Sequence, residues 1–248
     1  MVGPQRVRGA VVPHAPLLLP AISGPEVAPA ATTLRRAMGE IDLTGFDLVV
    51  VLSPHGRRTG VYPQAAGTLG DFGYSGIGLE MEGDAEVTAA LASAWGSPLL
   101  DDGADHGIVV PFLLWNTEHE RMSCPVVAAS LAETSGDGAI SFAEALLEVT
   151  GDRRVLFVAS ANGSAGLSAR APVTEIEGTA QLEDAFLDAL RQDAAGVEKV
   201  VGELVEQAGS CGGGPLTALA RLCAGQSSRI LAHERPVGVG YTVAVTDG

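Results

Sequence analysis

The sequence predicts an α/β fold in which helices flank a central mixed β-sheet, and the alternation of two kinds of segment supports this. Short runs of β-branched residues alternate along the chain with longer amphipathic stretches rich in alanine and leucine. Strand–helix–strand alternation is typical of a sheet covered by helices. No stretch is long enough or polar enough to be an interdomain linker, and no internal repeat is visible. We therefore expect a single domain over residues 1–248.

The predicted strands are the short β-branched runs, and the predicted helices are the longer stretches with one apolar face. The predicted strands are Arg6–Val12, Phe46–Ser53, Pro125–Ser130, Arg154–Ser160 and Val237–Val245. The predicted helices are Glu26–Ile41, Ala85–Ala94, Ser141–Val149, Ala180–Gln192, Gly196–Ala208 and Gly214–Ala224. Leu182, Phe186 and Leu190 illustrate the helical pattern, because they are spaced four residues apart and form one apolar face.

The composition excludes several classes of partner. Hydrophobic residues make up 46% of the chain and charged residues 18%, which is typical of a folded protein with a sizeable core. The net charge is −15, and the 15 lysine and arginine residues do not cluster. Binding to nucleic acids or to anionic membranes requires a basic face, so we expect neither as a partner.

The N-terminus and the cysteines indicate a cytoplasmic protein. The first residues lack the long apolar region and the cleavage site of a signal peptide. No segment offers the roughly 18–20 uninterrupted apolar residues that a membrane span needs. Cys124, Cys211 and Cys223 are odd in number and widely spaced, which fits a reducing compartment better than a disulfide framework.

Two histidines follow predicted strands in the same local context. Residues 11–14 read VVPH and residues 50–55 read VVLSPH, so each apolar run ends at a Pro-His pair that carries His14 or His55. A buried strand that stops at proline leaves the next side chain at the edge of the sheet, where α/β proteins bind ligands. Two imidazoles placed in this way are suited to hold one metal ion. The alternative for each histidine is a surface or hydrogen-bonded role.

A third histidine, His106, follows Asp105 and precedes an apolar run. The two are a candidate carboxylate–imidazole pair, but side chains adjacent in sequence often point apart, and a loop histidine is the alternative. The glycine-rich stretches carry less functional information. Residues 209–215 (GSCGGGP) lack the lysine of a P-loop, which favours a tight turn over a nucleotide site. Gly238 and Gly240 fall inside a predicted strand and indicate a bulge or close packing.

Three segments occur in an order that carries a family resemblance. They are residues 13–20 (PHAPLLLP), 53–56 (SPHG) and 105–111 (DHGIVVP). Together they resemble the class III extradiol ring-cleaving dioxygenases, including their protocatechuate-type catalytic subunits and the Memo-like relatives. Residues 236–241 (PVGVGY) are similar to the closing strand of that superfamily. The resemblance covers essentially the whole chain, and the ordered set is more specific than any single motif.

The resemblance implies a non-haem Fe(II) bound by His14 and His55, with a carboxylate from the C-terminal third as the third ligand. The substrate would be a small catechol or aminophenol. A catechol binds the iron through both oxygens, and dioxygen takes an open position. His106 corresponds to a histidine that contacts the substrate or bound oxygen. Relatives often form dimers or larger assemblies, so a homo-oligomer is among the expectations.

The first departure from the family is the loss of its main acid/base histidine. Residues 158–166 read VASANGSAG, which places Ala165 at the position of that histidine and Asn162 at the position of an aspartate. An alanine cannot move a proton, and loss of a general acid/base costs on the order of 10²–10⁴ in rate. His119 or His233 would have to substitute from elsewhere in space.

The second departure is the third metal ligand, for which no glutamate matches. Residues 210–216 (SCGGGPL) instead resemble a Cys-Gly-x-x-Pro-Ile segment of Memo-like proteins, in which the cysteine lies beside the metal. Cys211 is therefore the candidate third ligand, with Glu206 in reserve and a buried, unreactive thiol as the alternative. A thiolate shifts the preference toward zinc or copper without excluding iron.

Three functions remain open at this point. The first is an active extradiol dioxygenase, an oxidoreductase in which His106 orients oxygen or substrate. The second is a superfamily member without ring-cleaving activity, either a Memo-like protein with a metal- or redox-linked role or a binding protein that uses the same pocket; Ala165 and Cys211 favour it. The third is a metal-dependent hydrolase, since a site with one open position can activate water.

Overall fold

The centre of the molecule is a mixed β-sheet of seven strands, seen in a computed structural model that describes residues 6–116, 124–132 and 136–247. The strands in chain order are β1 (Val7–Val12), β2 (Leu48–Ser53), β3 (Gly60–Tyr62), β4 (Ala66–Leu69), β5 (Tyr74–Glu80), β6 (Val126–Ser130), β7 (Val155–Ser160), β8 (Ser228–Glu234) and β9 (Tyr241–Thr246). The spatial order in the large sheet is β3-β6-β2-β7-β1-β9-β8, while β4 and β5 pair separately.

Four neighbouring strands, β6, β2, β7 and β1, run parallel, and the strands outside them are antiparallel to their neighbours. Every residue of β2 is buried. Val49 and Val51 belong to the core on one face of the sheet, whereas Val50 and Leu52 belong to the core on the other. This burial on both faces explains why β2 is a continuous apolar run without alternation.

Helices cover both faces of the sheet. Those of the described residues are α1 (Ala28–Gly39), α2 (Ala85–Trp95), α3 (His106–Asn116), α4 (Gly136–Thr150), α5 (Thr179–Gln192), α6 (Val197–Ala208) and α7 (Gly213–Leu222). Helices α1 and α3 share one hydrophobic core with the sheet, and α2, α4, α5, α6 and α7 share the other. Helix α3 contacts α1, β2 and the β4–β5 pair, and its enclosure explains why it is apolar on nearly every side.

The structure confirms the predicted fold class of a central mixed sheet flanked by helices. The first four predicted strands and the six predicted helices are present, with ends that differ by a few residues. Strands β3, β4, β5 and β8 and helix α3 were not predicted. The first three are short or exposed, and β8 mixes polar and apolar residues.

The predicted strand Val237–Val245 is wrong over its first four residues, because β9 begins only at Tyr241. Gly238 has a φ of +72°, a left-handed conformation outside the β region. The segment instead bonds to a loop: the Gly163 N–H donates to the Gly240 carbonyl at 2.8 Å, and the Leu167 N–H donates to the Gly238 carbonyl at 2.9 Å. Within the described residues, no helix is both long enough and apolar enough to cross a membrane.

Candidate metal centre

The two Pro-His histidines meet at one edge of the sheet. His14 lies two residues beyond β1 and His55 two residues beyond β2. The strands are parallel, so their carboxyl ends share an edge, although β7 lies between them in the sheet. Ligands of open α/β sheets bind outside this edge.

Cys211, the candidate third ligand, lies far from the two histidines in sequence. Cys211 lies in the short turn between α6 and α7. Its Sγ is 3.1 Å from His14 Nε2, and His14 Nε2 is 2.9 Å from His55 Nε2. One ligand atom from each of the three residues lies within 4.8 Å of the others. The structure therefore brings His14, His55 and Cys211 together.

A hydrogen-bond chain fixes the ring of His14. Its Nδ1 lies 2.9 Å from Ser160 Oγ, and that hydroxyl donates to the Gly107 carbonyl. Since the serine proton is already committed to Gly107, the serine oxygen accepts from Nδ1–H of His14. Nε2 of His14 therefore carries no proton, and its lone pair points at Cys211 and His55, which lie within hydrogen-bond distance. This is the tautomer that a metal ligand requires.

Burial keeps the imidazoles neutral. The pKa of His14 is lowered well below its usual value by burial and by the neighbouring His55 and His106, and burial also lowers the pKa of His55. Burial raises the pKa of the Cys211 thiol, while hydrogen bonds from the peptide N–H and the side-chain amide of Asn162 oppose that rise. Neutral histidines bind cations without first losing a proton.

His106 lies beside the group as the first residue of α3. Its ring stacks on the ring of His55 with centroids 4.3 Å apart. The ring of Phe72 meets it in an edge-to-face arrangement, with centroids 4.9 Å apart. Burial lowers the pKa of His106 to about 4. His106 is therefore neutral at pH 7.

A network around Asp105 anchors this end of α3. Its Oδ1 accepts hydrogen bonds from the Gly107 N–H at 2.7 Å and from Ser53 Oγ at 2.5 Å, and its Oδ2 accepts one from the Tyr62 hydroxyl at 3.2 Å. A Cβ added at Gly107 would lie 2.2 Å from Ser53 Oγ. Glycine is therefore needed after His106, because it lets α3 approach the end of β2.

Two cavities open on the group. One cavity, of about 270 Å³, has charged residues in its lining, among them Arg57 and Asp71, together with Phe72. The other cavity, of about 260 Å³, has a mainly apolar lining. His55 and His106 line both cavities. The residues that line the apolar cavity are His14, Ala15, Pro16, His55, His106, Asn162, Gly163, Ala165, Pro172, Gly209, Cys211, Val239 and Tyr241. Each cavity is suited in size to a single aromatic ring.

Ala165 lines the apolar cavity, so an imidazole at this position would have faced His14, His55 and Cys211. The residues considered as substitutes for the missing histidine and glutamate lie elsewhere. His233 is on β8, where its ring nitrogens bond to Thr242 and Arg235. Glu206 is exposed on α6, and His119 is outside the described residues.

The donor set fits a divalent or monovalent transition metal. A tetrahedral ion with bonds of about 2.0 Å to nitrogen and 2.3 Å to sulfur holds its ligand atoms roughly 3.3–3.5 Å apart. The observed separations of 2.9 and 3.1 Å are slightly shorter, so a small side-chain movement would admit an ion. Two imidazoles and one thiol suit zinc, copper or iron.

Sequence reasoning missed Ser160, Tyr62 and Phe72, all of which contact the histidines or their supports. It singled out Asn162 but not the hydrogen bond that Asn162 accepts from the His14 backbone N–H. The signal for Ser160 is present in retrospect. Serine ends β2, β6 and β7 alike, and all three of these serines are buried. Polar residues buried at strand ends indicate a site at that edge of the sheet.

Comparison with known proteins identifies the fold and the family of the chain. The uncharacterised protein JW3007 of Escherichia coli K12 has a similar fold, with a TM-score of 0.64 and 14% identity over 97% of this chain and 99% of that one. No curated protein sequence matches the chain. A family model described as the catalytic LigB subunit of aromatic ring-opening dioxygenase matches residues 8–243. The chain therefore belongs to the LigB family of aromatic ring-opening dioxygenases, as the order of its histidine motifs predicts.

Proposed function

We propose that the protein is an extradiol-type dioxygenase that opens the ring of a small catechol or aminophenol, with a non-haem Fe(II) held by His14, His55 and Cys211. The observation that carries the proposal is the convergence of these three ligand atoms within 4.8 Å at the strand ends of a LigB-family chain. When bound, the metal would supply a Lewis acid that binds the two adjacent oxygens of the substrate and an open position for dioxygen.

The protein's own residues orient the reactants and exclude water. Ser160 holds the ring of His14, and the stack of His106 on His55 forms a wall shared by the two cavities. A ring placed against this wall occupies one cavity, while its substituents reach toward the other. Ala165, Val239 and Tyr241 make one side apolar, which favours an aromatic ring over a polar one.

His106 is the proposed acid/base group. Its pKa of about 4 leaves Nδ1 or Nε2 free to accept a proton from a substrate hydroxyl at pH 7. Ala165 cannot take this role, and burial raises the pKa of Tyr241, which keeps the proton on its hydroxyl. In our proposal, His106 therefore does the work of the histidine that Ala165 replaces.

The second candidate is a Memo-like metal- or redox-linked protein, or a binding protein, without ring-cleaving activity. Two observations favour it: the methyl group of Ala165 in the cavity, and a thiol where ring-cleaving relatives carry a carboxylate. A thiolate ligand suits zinc or copper better than a carboxylate does. The identity of the bound metal thus separates the two candidates.

The test is anaerobic metal reconstitution of the wild type, His14→Ala and Cys211→Ser, with metal per chain read by mass spectrometry. Each sample is then given a panel of catechols and aminophenols, while oxygen consumption and ring-fission absorbance are recorded. We expect one Fe(II) per wild-type chain with turnover, and loss of both in His14→Ala. Stoichiometric zinc or copper without oxygen uptake supports the second candidate, and no metal in any sample contradicts both metal-based functions.

His106→Phe separates the proton-transfer role from metal binding. The variant keeps an aromatic ring against His55 but has no basic nitrogen, so it should bind the metal as the wild type does. We expect turnover to fall by on the order of 10²–10⁴, the usual contribution of a general acid/base. Turnover at the wild-type rate would remove His106 from proton transfer.

A further inference from the structure

Glu183 lies behind the wall of the apolar cavity and is fully buried on α5. Its Oε2 accepts a hydrogen bond from the Ser164 N–H at 2.6 Å. Ser164 belongs to the loop that follows β7, and Asn162, Gly163 and Ala165 of this loop line the cavity. The carboxyl group therefore holds the backbone of a loop that forms one side of the cavity.

Two glycines leave the space that this carboxyl group occupies. A Cβ added at Gly163 would lie 2.4 Å from Glu183 Oε1, and a Cβ added at Gly240 would lie 1.9 Å from the same oxygen. At both positions the three nearest atoms all belong to the carboxyl group of Glu183. Neither glycine has a positive φ, so the close approach of the carboxyl group is the reason that glycine is needed there.

The same two glycines join the loop to the segment that precedes β9. The Gly163 N–H donates to the Gly240 carbonyl at 2.8 Å, and the Gly240 N–H donates to the Ser164 carbonyl at 2.8 Å. Both chain neighbours of Gly240 also line the cavity. Glu183 thus lies against the point at which two sides of the cavity are hydrogen-bonded to each other.

The loop also supports the candidate metal ligands. Asn162 Oδ1 accepts a hydrogen bond from the backbone N–H of His14 at 3.2 Å. The Asn162 carbonyl accepts one from the hydroxyl of Ser210, the neighbour of Cys211, at 2.8 Å. A displacement of the loop would therefore change the cavity together with the support of two ligands.

The carboxyl group contributes one hydrogen bond that an apolar side chain could not make. Glu183 Oε1 accepts no hydrogen bond from the described residues, and buried polar atoms without a partner lower the stability of a fold. Packing alone would favour an apolar side chain at this position. What the glutamate supplies is the acceptor for the Ser164 N–H.

We propose that Glu183 is a positioning residue of the apolar cavity. By holding the Ser164 N–H, it fixes the loop at residues 162–165 against the segment at residues 239–241 and so sets the width available to the ring of a substrate. The inference rests on the proposed function only in placing an aromatic ring in this cavity. Glu183 acts through the backbone and not by contact with the ring.

The test measures the binding of 4-nitrocatechol, a coloured catechol, to protein loaded with Zn²⁺, which has no redox chemistry. The samples are the wild type, Glu183→Ala, Glu183→Gln and Leu190→Ala. Leu190→Ala is the matched control, because Leu190 is fully buried on the same helix and packs in the core. Absorbance titration gives the dissociation constants, and urea denaturation gives the free energy of unfolding of each variant.

We expect the dissociation constant for 4-nitrocatechol to rise about 2–30-fold in Glu183→Ala, the range for residues that act on a site without touching its ligand. Glu183→Gln keeps an oxygen acceptor for the Ser164 N–H, so it should restore most of the affinity. Leu190→Ala should lower the free energy of unfolding without changing the affinity. Unchanged affinity in Glu183→Ala, or an equal loss in Leu190→Ala, would overturn the inference.

Gly240→Ala tests the same contact from the other side. Its Cβ would displace the carboxyl group, so the affinity should fall in the same range as in Glu183→Ala. The double variant should bind 4-nitrocatechol as Glu183→Ala alone does, because the atoms that the new Cβ would meet first are then gone. Additive losses of affinity in the double variant would contradict the proposed contact and overturn the inference.

The result separates this inference from the proposed reaction. Wild type that binds 4-nitrocatechol with the expected dependence on Glu183 but cleaves no ring would remove the reaction and keep the inference. Ring cleavage with an unchanged KM in Glu183→Ala would keep the reaction and remove the inference. Wild type that binds no 4-nitrocatechol, with or without Zn²⁺, would also overturn the inference.

Discussion

Two groups of the molecule, His14 with His55 and Cys211 and His233 with Glu183, contain fully or partly buried histidines that use their ring nitrogens differently. His233 has both nitrogens engaged: Nδ1 donates to Thr242 Oγ1 at 2.9 Å, and Nε2 accepts from Arg235 Nε at 2.8 Å. His14 Nδ1 contacts Ser160, whereas its Nε2 contacts two other potential metal ligands, His55 and Cys211.

The acidic residues beside the two histidines, Glu183 and Cys211, also differ in their surroundings. Glu183 is fully buried with its Oε1 3.8 Å from His233 Nε2, and its Oε2 accepts from the Ser164 N–H at 2.6 Å. A Cβ at Gly240 would lie 1.9 Å from its Oε1, so this carboxyl is enclosed by backbone. Cys211 instead lines a cavity. Burial lowers the pKa of both His14 and His233. Only His14 has a ring nitrogen that faces a thiol and a second imidazole, which is what marks a candidate metal site.

The largest expected difference between the groups is in metal binding. His55→Ala removes one of three ligands and should weaken Zn²⁺ binding by more than the roughly 10–100-fold that loss of an outer partner costs. His233→Ala should leave the affinity within experimental error, because its nitrogens do not face the cavity. Competition with a chelator measures both, and equal losses would erase the distinction between the two groups.

Ser160→Ala tests whether the held tautomer of His14 matters. The variant removes the acceptor of His14 Nδ1–H, and we expect metal affinity to fall about 10–100-fold. Ser130→Ala is the control, because Ser130 is also buried at a strand end but belongs to β6, which β2 separates from β7. Calorimetric titration with Zn²⁺ gives the comparison. A similar loss in Ser130→Ala would point to general damage at the strand ends.

Gly107→Ala tests the close approach of α3 to the histidine group. The new Cβ would lie 2.2 Å from Ser53 Oγ, and overpacking of this kind costs about 1–3 kcal/mol. Gly202 is also helical, but a Cβ added there would meet no atom within 4 Å. Gly202→Ala should therefore stabilise the protein by about 0.5–1 kcal/mol. Urea denaturation of both variants measures the free energies of unfolding, and destabilisation of equal size would contradict this.

The last expected effect is a pH dependence of the free energy of unfolding, which arises from Glu183. Burial raises the pKa of its carboxyl in the folded protein, so the folded state holds the proton more tightly than the unfolded state. This contribution to stability is fully present below the unfolded pKa and is lost as the pH rises through the folded pKa.

In the wild type we expect this loss of stability with rising pH to be about 1–3 kcal/mol, the cost of a buried polar group left poorly solvated. Glu183→Gln should remove part of it, because the glutamine side chain does not ionise. Urea denaturation at pH 5 and pH 8 provides the measurement. Asp188→Asn makes the same change on the exposed face of α5 and should alter stability by no more than about 0.5 kcal/mol at either pH. An unchanged pH dependence in Glu183→Gln would contradict the raised pKa.

The family and most of the sheet could be predicted from local patterns. Apart from the serine that ends each of them, β2, β6 and β7 are continuous apolar runs because both of their faces are buried. β1 is apolar except at Arg8 and Gly9. The Pro-His pairs lie where these runs end, so the edge that carries the site followed from the sequence. The last strand was predicted too long, since Gly238–Gly240 looks extended in sequence while its hydrogen bonds go to the loop at residues 163–167.

The sequence by itself determined the two strand-end histidines, the glycine that follows His106, and the resemblance that the LigB-family match over residues 8–243 confirms. Tertiary structure decided that β7 lies between β1 and β2, which places Ser160 and Asn162 beside His14. It also brought Cys211 to His14 across 197 positions of sequence. The reason is physical: apolar periodicity records which residues are buried, whereas the order of strands and the contacts of loops arise only when the whole core packs.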